Sequence, residues 1–277
     1  MALRRVPRSR AAFTAVQVRD LFAVVDWHPD SHPAMPDVVS HGRKPAVFAC
    51  GFCHLPDGAG RPENATLAGL PAAYIVQQLA DMKSHARRSA WPAPYGPSDA
   101  MATIASSASE AEIAQAARYF SSLRARQRSR VVERRDIARP TPSLGLYFPA
   151  TGRGMEPLGH RLIEMPVDAS RHELRDAWVR YVAYVPPGSI ARGRSLATTG
   201  TRSGVKPCAS CHGPQLRGVG LVPPLAGRSP SYILRQLLAF KTGSRSTAAS
   251  APMHDVVAGL GIDDMIAAAA YAGSRRP

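Results

Sequence analysis

The sequence is short of aromatic residues, lysine, acidic residues and cysteine. Trp, Tyr and Phe make up 6% of its 277 residues, whereas 45% are hydrophobic. A chain of this length and composition suggests two ordinary domains with a sizeable core. That core must be filled by Ala, Val and Leu, or by something that is not protein. Only Lys44, Lys83, Lys206 and Lys241 are lysines among 35 basic residues; with 20 Asp and Glu the formal net charge is +15. GC-rich coding explains the arginine excess as well as any selected chemistry does. Such a chain attracts acidic partners, anionic membranes or nucleic acid. No nucleic-acid-binding motif accompanies the charge, which sets that class aside. No run of about 18 apolar residues occurs, so no segment reads as a transmembrane span. The start, MALRRVPRSRAAFTAV, is basic like a signal peptide, but its apolar stretch is broken by Gln17 and no small-residue cleavage site follows. Met1 to Arg10 reads as a disordered basic tail.

All four cysteines fall in two copies of one pattern, CGFCH at Cys50 and CASCH at Cys208. A four-cysteine zinc site would leave each adjacent histidine unexplained and would have to join pairs 158 residues apart. Thioredoxin-like redox pairs call for a βαβ setting that neither region shows. Disulfides between cysteines three apart are strained. Cys-x-x-Cys-His is the spacing of c-type haem attachment. Residues three apart share a face of a helical turn, so two thiols can add to the two vinyl groups on one porphyrin edge. The next residue then swings under the ring, where its imidazole reaches the iron.

The flanks repeat as well. LAGLPAAYIVQQLADMKSHAR from Leu67 matches LAGRSPSYILRQLLAFKTGSR from Leu225, and Cys50/Cys208, His54/His212, Gly69/Gly227, Tyr74/Tyr232, Gln78/Gln236, Lys83/Lys241 and Arg87/Arg245 are all 158 residues apart. Tyr74–Lys83 and Tyr232–Lys241 have helical periodicity, with Tyr74, Gln78 and Leu79 on one face and Tyr232, Gln236 and Leu237 on its counterpart. Pro71 and Pro230 stand near the first turns, where proline is tolerated. Met101 and Met253, with Tyr119 and Tyr271, keep an offset of 152. The six-residue difference falls between Arg87 and Met101, near SAWPAPYG. Ser109 and Glu112 form a capping-box pair at the start of the terminal helix of the first copy, and Asp263 and Asp264 place negative charge at its counterpart.

With these motifs in place the chain resembles a tandem class I dihaem cytochrome c, over Pro36–Leu123 and Gly188–Gly273. The resemblance implies a mainly α fold: two haem domains in tandem, in which a loop methionine gives the sixth iron ligand and a C-terminal helix crosses the N-terminal one. It implies thioethers at Cys50, Cys53, Cys208 and Cys211, proximal ligands His54 and His212, distal ligands Met101 and Met253, and two covalently attached haem c groups. Met82, His85 and His254 compete with the methionines; a histidine ligand would lower the potential. Gly42 and Gly193 precede the motifs and are expected to let the first and last helices approach against Tyr119 and Tyr271. Pro224 is expected to accept the proximal His N–H in the second copy, with Thr66 at the matching place in the first.

The division that follows is an N-terminal extension (1–35), a first haem domain (36–123), a connecting segment (124–187) and a second haem domain (188–277). The connecting segment opens with the basic run RARQRSRVVERRDIARP, then shows LGLYF, HRLIEMPV and WVRYVAYV, which read as extended segments or short β-strands. It is expected to pack on one or both haem domains. Trp27 reads as the cap of a hydrophobic patch; His28 and His32 are not assigned as ligands.

Two irons with His and Met ligands have no open site and suit an electron carrier more than an enzyme. The resemblance implies transfer from a periplasmic or membrane dehydrogenase, or a quinol-oxidising complex, to an acceptor such as a terminal oxidase. Redox partners with acidic docking faces fit the basic surface, and transfer is expected to slow steeply as salt rises. Alternatives are a stably bound electron-transfer subunit of a larger oxidoreductase, which would be membrane-associated, or a dihaem peroxidase with one open iron. Attachment of haem to CxxCH in bacteria implies the periplasm, against the missing signal peptide.

Overall fold

The computed structural model describes residues 2–90, 96–143, 146–149, 152 and 154–277. The chain opens with a hairpin, β1 (Leu3–Arg4) antiparallel to β2 (Phe13–Thr14), and a single-turn helix α1 (Ala15–Val18) capped by Thr14. Residues 2–10 are therefore not a disordered tail. Val6, Val18, Val25 and Trp27 are buried together, with Phe13 edge-on to Trp27 at 4.7 Å. Trp27 Nε1 donates to the Leu174 carbonyl at 2.7 Å, so this residue does close a hydrophobic patch.

The first copy comprises α2 (Asp37–Ser40), a short hairpin of β3 (Gly42–Arg43) and β4 (Val47–Phe48), α3 (Cys50–His54), α4 (Ala72–Lys83), α5 (Gly96–Ser107) and α6 (Glu110–Ser122). Ser109 and Glu112 form the capping box of α6, and Glu112 also takes Arg43 Nε at 2.9 Å and Nη2 at 3.2 Å. That pairing holds the Glu112 carboxyl down at about 2. Helix α6 buries Ala116, Ala117, Tyr119 and Phe120 against Val39, Val47 and Ile75. The stretch Trp91–Tyr95, where the copies differ in length, lies outside the described residues.

The connecting stretch holds β5 (Ser129–Glu133), β6 (Asp136–Ala138), β7 (Pro140–Ser143), β8 (Leu146–Pro149), β9 (Met155–Pro157), β10 (Ile163–Pro166), α7 (Ala169–Glu173) and β11 (Tyr181–Val185). Strand β11 pairs parallel with β5 and antiparallel with β10; β6 pairs with β9 and β7 with β8. Leu144 and Gly145 of LGLYF lie outside the described residues.

The second copy follows as α8 (Ser189–Thr198), α9 (Ala209–His212), α10 (Pro230–Lys241), α11 (Ala251–Ala258) and α12 (Ile262–Ser274). Alanine does the work of larger apolar residues here: Ala267, Ala269, Ala270 and Ala272 of α12 are buried. Small side chains let backbones approach. A Cβ on Gly193 would stand 1.9 Å from the Ala267 carbonyl oxygen and 2.7 Å from Tyr271 Cβ, so Gly193 is the crossing point of α8 and α12. Gly42 is not its counterpart. It has φ +67° and turns the β3–β4 hairpin, with the Val47 carbonyl 2.2 Å from where a Cβ would be.

The repeat is visible in the backbone. Left-handed residues recur at the 158-residue offset: Gly42 and Gly200, Leu55 and Gly213, Gly58 and Leu216, Gly60 and Gly218, Gly69 and Gly227, His85 and Gly243. Two of these six pairs have glycine in one copy and leucine in the other, so the fold imposes this conformation even on a residue that resists it.

The connecting stretch packs on both copies. Arg175 Nη1 donates to the Phe52 carbonyl at 2.8 Å, and its guanidinium lies 3.4 Å from the Phe52 ring centroid. Glu164 of β10, buried, accepts from Ser229 Oγ (2.6 Å), Ser231 N (3.0 Å) and Ser231 Oγ (2.6 Å), and from Ser129 Oγ. Its charge thereby sits at the N-terminus of α10, the favourable end of the helix dipole. Val131 and Val185 join the core of the second copy.

Candidate cofactor sites

Each Cys-x-x-Cys-His is one helical turn, in α3 and in α9. Both histidines end their turn, both are buried, and the residue after each turns left-handed, Leu55 at φ +63° and Gly213 at φ +81°. Nδ1 of His54 is 2.8 Å from the Ala65 carbonyl and Nδ1 of His212 is 2.8 Å from the Pro223 carbonyl. These acceptors lie one residue before the expected Thr66 and Pro224. The carbonyls of Thr66 and Pro224 are instead taken by Arg228, through Nη1 at 2.5 Å and Nε at 2.6 Å. A carbonyl at Nδ1 fixes the proton there and leaves Nε2 as the lone-pair nitrogen, the form that binds a metal. Burial lowers both histidine pKa values, which favours the same neutral form.

In the first copy the motif opens on a cleft of about 290 Å³, at the lower edge of the ~300–1,000 Å³ usual for small-molecule sites. Cys50, Cys53, His54, Met82 and Met101 line it, with Leu70, Ile75, Leu79 and Ile104 as apolar wall. Burial pushes the Cys50 thiol up to about 12, and the adjacent Cys53 adds to the shift. Tyr232, Gln236 and Leu238 of α10 close one side, so the second copy contributes to the first copy's cleft. Met101 stands in α5 and Met253 in α11, not in loops; Met253 borders the same apolar cluster as Cys208. His85 is exposed beyond α4, and His254 Nε2 lies 3.3 Å from Ser250 Oγ. His28 Nε2 is 2.9 Å from Asp176 and its ring stacks on Trp178 at 3.7 Å, so its role is structural.

Between the copies lies a cluster that the sequence marked only as landmarks. Arg87 and Arg245 face each other across an antiparallel bridge, with Arg88 N donating to the Ser244 carbonyl (2.7 Å) and Ser246 N to the Ala86 carbonyl (2.9 Å). Arg87 donates to Gln78 Oε1 (2.8 Å), Tyr232 Oη (2.8 Å) and Gln236 Oε1 (3.1 Å); Arg245 donates to Gln236 Oε1 (3.1 Å) and Gln78 Oε1 (2.6 Å). The partners exchange under the 158-residue offset, so the junction has approximate two-fold symmetry. Every one of these acceptors is neutral. Burial lowers Arg228 to about 10, and burial followed by the Arg87 charge lowers Arg245. Among the described residues Arg87, Arg228 and Arg245 make no ion pair. Guanidiniums without a carboxylate partner, of which Arg87 lines the cleft, together with its two thiols, imidazole and thioether, fit a group that brings its own acids and an iron. Haem is such a group.

No profile of a known protein family matches the chain. The cytochrome c-554(547) of Halothiobacillus neapolitanus is 42% identical over 92 residues, which span 30% of this chain and 93% of that protein. The thiosulfate dehydrogenase electron acceptor of Stutzerimonas stutzeri (strain A1501) is 28% identical over 235 residues, 83% of this chain and 80% of its own length. Among solved structures, the as-isolated thiosulfate dehydrogenase TsdBA of Marichromatium purpuratum superposes with a TM-score of 0.55 at 27% identity. That match covers 86% of this chain but 39% of the longer one.

Proposed function

The chain belongs to the dihaem class I cytochromes c, and from that premise we propose that it accepts electrons from a dehydrogenase acting on a sulfur compound such as thiosulfate. It carries two covalently attached haem c groups and acts in electron transfer. The name of the Stutzerimonas relative supports the choice of donor; the downstream acceptor is taken to be a terminal oxidase or a similar complex. The site of action proposed is the periplasm, where bacteria attach haem to CxxCH.

Bound in this way, haem supplies an iron that gains and loses one electron with little rearrangement. The residues have separate tasks. Cys50 and Cys53 hold one group by thioethers, Cys208 and Cys211 the other. His54 and His212 offer Nε2 to the irons, oriented by Ala65 and Pro223. Met101 and Met253 would each supply a thioether ligand to an iron. Met82 also lines the first cleft, but the residue 158 positions on is Phe240, which has no ligand atom, whereas Met101 is matched by a methionine. Arg87, Arg245 and Arg228 receive the haem acids. The proposed division is extension 1–35, haem domain 36–123, connecting segment 124–187 and haem domain 188–277.

One observation carries this reading: the same His Nδ1–carbonyl bond, at 2.8 Å, stands behind a one-turn CxxCH helix in both copies. Mass spectrometry and the reduced optical spectrum of exported protein test it. Two haem masses are expected, and one after Cys50→Ala/Cys53→Ala; colourless protein of polypeptide mass overturns it.

A second reading, a permanently bound subunit, is favoured by the occurrence of a unit of this shape within a longer thiosulfate dehydrogenase chain. Size exclusion of the native material separates the two.

A further inference from the structure

The two copies share a backbone but not a surface. At the 158-residue offset Arg61 and Glu63 of the first copy match Val219 and Leu221 of the second. Both pairs lie in the loop that follows the haem-binding turn. In the first copy this loop is covered. The Arg61 and Glu63 side chains are 13% and 9% exposed and pair with each other at 2.8 Å. His172 of α7 lies 3.8 Å from Glu63, Arg175 lies on Phe52 between the two cysteines, and Arg128 pairs with Asp57. The connecting stretch thus covers the Cys53 edge.

In the second copy nothing corresponding lies over the loop among the described residues. Val219 is 60% and Leu221 65% exposed, and Cys211 is exposed. Val219 belongs to the rim of that edge: its Cγ2 is 3.3 Å from the Cβ position of Gly213, two residues beyond Cys211, and Gly218 N donates to the His212 carbonyl at 2.9 Å. Of the basic residues near it in the chain, Arg202, Lys206 and Arg217 are exposed, whereas Arg228 is buried at the junction of the copies. Between Asp176 and Asp255 the sequence has ten Arg and Lys and no Asp or Glu. Two exposed aliphatic side chains within a one-sign field form a contact centre with a steering rim.

We propose that the loop Leu216–Val222 beside Cys211 is the docking surface at which this dihaem cytochrome exchanges electrons with a redox protein whose contact face is acidic around an apolar centre. The equivalent edge of the first copy is closed by the chain itself. This rests on the dihaem reading. The arrangement gives the protein a direction: traffic through a thioether edge passes by the second haem, and the first is shielded there.

The test is stopped-flow oxidation of the reduced dihaem protein by plastocyanin, a blue-copper protein with an acidic contact face, at low and high salt. Arg217→Glu/Leu221→Asp alters two exposed residues outside the core. Oxidation is expected to slow about fivefold or more at low salt and to lose most of its salt dependence. The control, Lys83→Glu/Arg118→Glu, makes at least as large a charge change on exposed helical positions of the first copy and is expected to stay within about twofold of wild type. Equal slowing by both variants would assign the effect to net charge and overturn the surface, as would no slowing by the first. Wild-type protein lacking two haems overturns the dihaem reading and the surface together; two haems with an unchanged rate overturns the surface alone.

Discussion

Gly193 of α8 and Ala267 of α12 touch backbone to backbone, leaving no room for a side chain: a Cβ on Gly193 would stand 1.9 Å from the Ala267 carbonyl oxygen. Neither partner is the far end of a flexible side chain, so only a shift of a whole helix relieves the clash. Gly193→Ala is expected to destabilise the second copy by about 3 kcal/mol, at the upper end of overpacking effects. Denaturant unfolding of the holoprotein, followed at the haem band, checks it; an unchanged midpoint would mean the helices are not in contact.

The methionine assignments lead to a count. With Met101 and Met253 on the irons, reduced wild-type protein is expected not to bind carbon monoxide rapidly. Met101→Ala should bind one equivalent, the double variant with Met253→Ala two, and Met82→Ala none. One equivalent bound by wild type would reveal an open iron and favour the peroxidase alternative. One bound by Met82→Ala would move the ligand from α5 to α4.

His85 ends α4 in the left-handed region at φ +58°, where the second copy has Gly243 at φ +72°. Left-handed backbone costs a non-glycine residue about 1–2 kcal/mol, against roughly 0.5–1 kcal/mol for the extra freedom glycine loses on folding. The strain wins, so His85→Gly is expected to stabilise by roughly 0.5 kcal/mol. The exposed side chain has no packing to lose. A Tm below wild type would mean that His85 is an iron ligand or a contact after all.

The parts of the site legible in the sequence were those in which chemistry demands a fixed spacing. The two CxxCH turns and the helices α4 and α10 follow from residue type and offset alone. The capping residues Ser109 and Glu112 were legible because a cap is local. What failed was non-local or off by a residue. Gly42 and Gly193 are both glycines before a motif, yet one turns a hairpin and the other meets a helix; only the partner strand and partner helix tell them apart. The methionines were expected in loops, but Pro97 and Pro252 lie in first helical turns, which tolerate proline. The His acceptors moved from Thr66 and Pro224 to Ala65 and Pro223 because Arg228 takes the carbonyls expected for the job. Arg87 and Arg245 had matched positions but no visible task until the two copies faced each other.

A pH dependence follows from His32. Its Nε2 lies 3.2 Å from Asp26 Oδ2, within ion-pair range for a protonated ring, and its Nδ1 lies 2.9 Å from the Pro33 carbonyl and 3.1 Å from Tyr119 Oη. Asp26 raises the pKa, against burial, with Asp57 adding a smaller pull. A raised folded-state pKa gives stability that is complete below the ordinary histidine value and is lost as pH climbs through the folded one. Wild type is therefore expected to exceed His32→Gln in Tm by more at pH 5.5 than at pH 8.5. A gap that widens towards pH 8.5 would mean the neutral ring is the stabilising form.

The junction arginines connect structure to potential. Arg245 is buried and Arg87 half-buried; both bond only to neutral side chains and bridge Gln78 of one copy and Gln236 of the other. A positive charge near an iron favours the reduced state, because reduction removes a positive charge from the centre. If the guanidiniums also receive haem acids, replacing one leaves those acids uncompensated, which pushes the same way. Arg245→Gln should thus lower the midpoint potential, on the order of 50 mV or about a tenfold change in a one-electron equilibrium. A purely structural role for Arg245 would lower the Tm and leave both potentials in place. The symmetry adds a sharper condition: Arg87→Gln must act on the same two potentials in the same direction. Potentiometric titration of the two variants beside wild type decides it. A shift confined to one haem in both variants would mean that the junction serves a single site, and that the exchange of partners between Gln78 and Gln236 has no electrostatic consequence.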